Sequence, residues 1–184
     1  DAYNVAIGFA AGENVSTGAQ NTIVGGLAGD ALTTGGSNVA IGYAALSAED
    51  GHGKNIAIGH QALLTQNAGA DAYNVAIGYD AGKIVSTGVA NILIGGYAGV
   101  LLTTGAGNVA IGRSALGSEN AHGRNVAIGY LALNAQDAGA DAYNVAIGYS
   151  AGTAMTTGVQ NTIIGGLAGD ALTVGSYNTA LGFA

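Results

Sequence analysis

A chain of 184 residues is long enough for one ordinary domain with a sizeable core, but its composition is not ordinary. It has 34 Gly, no Pro, Cys or Trp, and only 8% charged residues, where about a quarter is usual. The missing cysteine excludes a disulfide framework and a thiolate metal site, and a net charge of −7 with four cations (Lys54, Lys83, Arg113, Arg124) excludes a nucleic-acid surface and attraction to an anionic membrane.

The first predicted element is a short strand, "NVAIG" at 4–8, and the same pattern returns along the whole chain. Its anchor is Asn, at Asn4, Asn21, Asn38, Asn55, Asn74, Asn91, Asn108, Asn125, Asn144, Asn161 and Asn178. The spacings are 17, 17, 17 and 19 residues, repeated, so four units make a super-repeat of 70 residues. "DAYNVAIG" opens each super-repeat, at 1–8, 71–78 and 141–148. No linker interrupts the pattern, which predicts one continuous segment over 1–184, with super-repeats 1–70, 71–140 and a partial 141–184. The chain begins and ends inside the repeat, as expected for a fragment of a longer fibre. The charge-free run 84–112 has the length of a membrane span, yet it carries the repeat's Gly and Asn at their usual spacing. It is read as repeat, with no membrane insertion.

Within a unit, Gly stands four residues after each Asn, and Ala stands seven after it wherever the unit is long enough. Val, Ile, Leu or Thr stands one and three residues after Asn, the period-two signature of a strand with one buried face. Gly then ends the strand, and segments such as "STG" and "TTG" supply turns, spaced too closely for helix. Each unit is therefore one coil, and stacked coils make an all-β parallel β-solenoid of about 17 residues per coil. Stacking places the Asn residues in a column, a structural amide ladder. Eleven coils at roughly 4.8 Å give a rod on the order of 50 Å long.

On this reading Val5 and Ile7 point inward, and the residue between them points out. That residue is Ala in most units but large in the second unit of each super-repeat, at Ile23, Leu93 and Ile163. An uncharged outer face studded with aliphatic side chains needs a cover, and no segment is long enough to supply one. The expected partner is the chain itself, with Ile23, Leu93 and Ile163 as inter-chain contacts in a closed cyclic assembly, a homotrimer.

The strings "NVAIGY", "NTIIGGLAG" and "TTGGSNVAIG" resemble the head repeats of trimeric autotransporter adhesins, the YadA-like family, and the related Asn-rich repeats of bacteriophage tail fibres. The resemblance covers the whole chain and implies a left-handed β-roll, three chains side by side, and an extracellular place on a bacterial surface or a virion. It departs from the adhesin pattern in having Val, Ile or Thr after Asn instead of Ser, and in its longer repeat.

Residues able to do chemistry are few. Glu49 and Asp50 are adjacent in "SAEDGHGK", and "GSENAHGR" keeps Glu119 but has Asn120. Glycoside hydrolysis needs carboxylates opposed across a cleft, so adjacent ones in a Gly-rich turn read as a solvated corner. His52 and His122 occupy one turn position a super-repeat apart, too distant to share a metal within a chain, and His60 stands elsewhere. "GGLAGDAL" at 25–32 and 165–172 approaches a calcium nonapeptide, but the middle copy has Val100 in place of Asp. The Thr pairs, among them Thr33 and Thr34, are interrupted by Asp and Asn, which breaks any flat ice-binding array. Tyr43, Tyr79, Tyr130 and Tyr149, just past the strand Gly, are possible glycan contacts. The expectation is a non-catalytic segment of an attachment fibre with no cofactor and no metal, binding copies of itself and a host glycan or receptor. The alternative is a carbohydrate-binding or carbohydrate-cleaving module of a phage tailspike.

Overall fold

The computed structural model describes residues 2–184, which wind into a parallel β-solenoid. Eleven three-residue strands run in chain order: β1 (Val5–Ile7), β2 (Thr22–Val24), β3 (Val39–Ile41), β4 (Ile56–Ile58), β5 (Val75–Ile77), β6 (Ile92–Ile94), β7 (Val109–Ile111), β8 (Val126–Ile128), β9 (Val145–Ile147), β10 (Thr162–Ile164) and β11 (Thr179–Leu181). They form one sheet in sequential order, each parallel to the next. The register never slips: Val39 pairs with Ile56, and Ala110 with Ala127, always one repeat ahead. Among the described residues there is no helix, and segment 84–112 supplies β6 and β7.

The Gly that ends each strand meets two demands at once. Gly95 has φ +128, and a Cβ there would lie 2.7 Å from the carbonyl carbon and oxygen of Gly112 in the next coil. The same approach recurs down the column, so each coil leaves the next no room for a side chain at this corner.

The Asn column is buried from Asn21 to Asn161. Each Oδ1 accepts the backbone N–H of the Asn one coil on, at 2.8–3.1 Å, from Asn4 through Asn178. Most Nδ2 groups donate to the carbonyl 14 residues ahead, such as Asn21 to Gly35 and Asn91 to Gly105, both 2.9 Å. Amide-to-amide bonds such as Asn91 to Asn74 at 3.2 Å accompany these backbone bonds. The amide thus stitches backbone groups that the turn leaves without strand partners.

The strand faces are the reverse of the sequence expectation. The middle residue of every strand from β2 to β10 is buried, including Ile23, Leu93 and Ile163, each fully inaccessible. These three are core residues and make no surface for another chain. The residues on either side of them, Val, Ile or Thr, face outward. The reason is the narrowness of the coil: the middle strand residue faces the position eight after Asn, across a gap of one side chain. A Cβ on Gly12 would lie 3.8 Å from Ala6 Cβ and 2.9 Å from Ile23 Cδ1.

In seven coils that facing pair matches one large residue with one small one. The first coil of each super-repeat instead pairs Ala with Gly (Ala6–Gly12, Ala76–Gly82, Ala146–Gly152). Neighbouring coils fill the gap there, with Leu93 Cδ1 and Leu63 Cδ2 2.6 and 3.1 Å from where a Gly82 Cβ would lie. Where the strand contributes Ala40, Ala57, Ala110 or Ala127, the opposite wall contributes buried Leu46, Leu63, Leu116 or Leu133. Where it contributes Ile23, Leu93 or Ile163, the opposite wall has Gly29, Gly99 or Gly169. A third inward position, eleven after Asn, adds Leu32, Val85, Leu102 and Met155, and also Glu49, Gln66, Glu119 and Gln136, all fully buried.

This arrangement makes a specific prediction. Leu93→Ala should destabilise the chain by about 2–5 kcal/mol, as expected for a core truncation. Adding Gly99→Leu recreates the Ala110–Leu116 pairing and should recover more than half of the loss. Leu116 already occupies this site at φ 52, so the backbone accepts Leu there. Urea unfolding of the two variants reads both effects; if Gly99→Leu deepens the loss, the facing-pair account fails.

Candidate functional site, an uncharged sheet face with an aromatic edge

The outward strand positions line up as two columns along the rod. One runs Val39, Ile56, Val75, Ile92, Val109, Val126 and Val145; the other runs Ile41, Ile58, Ile77, Ile94, Ile111, Ile128 and Ile147. Every one is half-buried or exposed, and neither column holds a charge at any of the eleven strands. β-Branched side chains favour a pleated surface, so local propensity and this outward position agree.

Beside this face, one residue past the strand Gly, runs an aromatic edge. Tyr43 stacks on His60 with ring centroids 5.5 Å apart, His60 stacks on Tyr79 at 4.8 Å, and Tyr130 stacks on Tyr149 at 5.4 Å. Arg113 lies over the Tyr130 ring at 5.9 Å. Coil spacing sets these separations. The faces of these stacked rings are therefore turned along the rod towards one another. Stacking covers one face of Tyr43 and of Tyr149, whose other neighbours in the column are Gly26 and Gly166, and Tyr43, Tyr79 and Tyr149 remain about half exposed.

The "DAY" triplets hold successive coils of the same chain together. The Asp71 carboxylate accepts from the Gly53 N–H at 3.2 Å and from the Lys54 ammonium, which also donates to the Tyr73 hydroxyl at 3.1 Å. Arg124, Asp141 and Tyr143 repeat the clamp, with Arg124 Nη1 2.7 Å from Asp141 and 2.6 Å from Tyr143. The two extra residues of the 19-residue unit fall earlier, around Gly69 and Gly139, where a Cβ would meet nothing within 4 Å. Asp71 and Tyr73, like Asp141 and Tyr143, are thus exposed groups that clamp one coil to the next within the chain, with buried Ala72 and Ala142 between them.

The carboxylates also differ from their sequence reading. Glu49 and Glu119 are fully buried, not solvated. Each sits in the third inward column and accepts the backbone N–H of its histidine, Glu49 from His52 at 3.1 Å and Glu119 from His122 at 3.3 Å. In the next coil, the 19-residue unit, the widened loop moves away the carbonyl that its Asn would otherwise use. Asn125 turns its Nδ2 to Glu119 at 3.4 Å instead. The signal was present in the sequence, since Glu49 shares its register with Leu32 and Leu102.

Asp30 accepts the Ser47 hydroxyl at 2.6 Å, and Thr33 and Thr103 donate their hydroxyls to the next coil's carbonyls at 2.9 and 3.0 Å. These polar groups serve coil stacking. His60 lies apart from the other two histidines, 3.4 Å from Asp80.

Burial pushes the Glu49 and Glu119 carboxyls above the usual 4.5. The folded chain therefore holds these protons more tightly than the unfolded chain. Their contribution to stability is fully present below pH 4.5 and is lost as pH rises through the raised folded values. Replacing both, Glu49→Gln and Glu119→Gln, should make the chain more stable than the parent at neutral pH in chelator-treated buffer. The difference should shrink towards pH 4.5. Gln is already the residue that the next coil carries at this position, at Gln66 and Gln136. Urea midpoints measured against pH check this, and an equal difference at every pH would contradict it.

No cleft opens on the surface of the described residues. Comparison with protein-family models, with curated proteins and with solved structures finds no match.

Proposed function

We propose that this chain is a structural segment of an extracellular attachment fibre, on a virion or a bacterial surface, that assembles with copies of itself through the Val/Ile face. The observation that carries the reading is the continuous uncharged face from β1 to β11. It is about 50 Å long and, with its aromatic edge, roughly 10–15 Å wide. Its area is then on the order of 500–750 Å², close to the roughly 800 Å² that each partner gives to a stable interface. A second copy matches it best, because only another such rod repeats side chains at the same coil spacing along its whole length. A homotrimer closes three such faces around one axis and leaves none exposed.

A carbohydrate-cleaving module would need carboxylates opposed across a cleft, whereas Glu49 and Glu119 are buried in the coil interior. Sedimentation equilibrium at micromolar concentration tests the fibre reading. The parent should run as a trimer, and the triple variant Ile58→Lys, Ile94→Lys, Ile128→Lys as a folded monomer. A folded parent monomer overturns the reading, as does release of reducing sugar from a host polysaccharide that depends on Glu49 or Glu119.

A further inference from the structure

We propose that the two corners Glu49–Asp50–His52 and Glu119–His122–Asp137 are divalent transition-metal sites, one per super-repeat, with zinc as the fitting ion. This goes against the sequence expectation of no metal, and it stands independently of the fibre assignment. In each corner one imidazole nitrogen and one oxygen from each carboxylate all lie within 4.8 Å of one another.

Three further observations point to a ligand. The Nδ1 atoms of His52 and His122 are shut off from solvent and have no hydrogen-bond partner, although one edge of each ring is exposed. They face the buried carboxylates at 3.7 Å for His52–Glu49 and 3.8 Å for His122–Glu119. Those separations are too long for a hydrogen bond. They are within a few tenths of an ångström of the roughly 3.3 Å between two atoms that share a tetrahedral zinc at about 2.0–2.1 Å. Second, the Glu49 side chain is fully buried, and its Oε2 has no partner.

Third, the two corners keep the same donor inventory by different means. Asp50 and Asn67 are neighbours in one column, twelve residues after Asn38 and Asn55. One super-repeat later the same two places hold Asn120 and Asp137, the acid and the amide exchanged. Each corner therefore retains one Glu, one His, one Asp and one Asn. Coil packing alone gives no reason to keep a single Asp while moving it between coils. A dication balanced by two carboxylates does. One imidazole nitrogen with two carboxylate oxygens suits zinc, cobalt or nickel better than magnesium or calcium, which favour all-oxygen shells. The exposed side of each corner leaves the fourth position to water.

The test is calorimetric titration of the chelator-stripped full chain with zinc near neutral pH. Saturation at about two equivalents is expected, with cobalt substitution giving tetrahedral absorption bands at the same stoichiometry. His52→Gly should leave one site, and His52→Gly with His122→Gly should leave none, or weaken both by at least about 100-fold. Gly stands at the same place in other coils, at Gly18, Gly35, Gly88 and Gly105, so the fold should survive. The pair Glu49→Gln and Glu119→Gln gives a second route if it does not. His60→Ala should keep both sites. Failure to saturate at micromolar zinc, or equal binding by parent and double-Gly variant, overturns the proposal. So does loss of binding with His60→Ala alone.

Discussion

Gly95→Ala should destabilise the chain by about 2–6 kcal/mol, the largest effect expected from adding one methyl group. Two independent costs combine. The φ of +128 lies where L-residues rarely go. The new Cβ would also sit 2.7 Å from the Gly112 carbonyl group and 3.1 Å from the Arg113 nitrogen, all backbone atoms that cannot rotate away. Relief would require the two coils to separate, which strains the strand bonds between β6 and β7. Gly69→Ala is the matching control. Its φ is +69 and a Cβ there meets nothing within 4 Å, so only the left-handed backbone cost of about 1–2 kcal/mol applies. Urea unfolding that ranks the two variants equally would show that close approach between coils is not what requires the glycine column.

Asn91→Leu should cost a similar amount by a different route. Asn91 Oδ1 accepts the Asn108 N–H at 3.0 Å, and its Nδ2 donates to the Gly105 carbonyl at 2.9 Å. Leu is close in size but leaves both backbone groups buried without partners, at about 1–3 kcal/mol each. Because coils touch only their neighbours, a lesion in the middle of the rod also weakens the coupling between its halves. The unfolding curve of Asn91→Leu should therefore broaden or split into two transitions, whereas the same change at Asn178, near the end, should leave one transition. A single sharp transition with an unchanged midpoint for Asn91→Leu would refute the stitching role.

Both variants act on features that were legible before any coordinates. The columns of Asn and Gly, the 17- and 19-residue coils and the parallel in-register stacking all follow from spacing alone. Each of these is a constraint of one coil on its identical neighbour, and a repeat displays such constraints directly.

The side of the sheet that faces the core was not legible. Alternation with period two is unchanged when the two faces are exchanged, so "NVAIG" fits a buried Val/Ile pair or a buried Ala equally well. Size suggested the larger pair inside. What decides the matter lies across the coil: Leu46 and Leu63 fill the interior from the opposite wall, leaving space only for Ala40 and Ala57. Ile23 and Leu93 enter where Gly29 and Gly99 make room. The buried Glu49 and Glu119 were hidden for the same reason, since a carboxylate in a Gly-rich turn resembles a solvated corner until the backbone groups around it are placed. The sequence by itself determined the repeat, the coil and its stacking, because these depend on relations between identical units. Only the tertiary structure decided which face is inside and what the two Glu–His corners bring together, because these depend on contacts across a coil between residues that share no period.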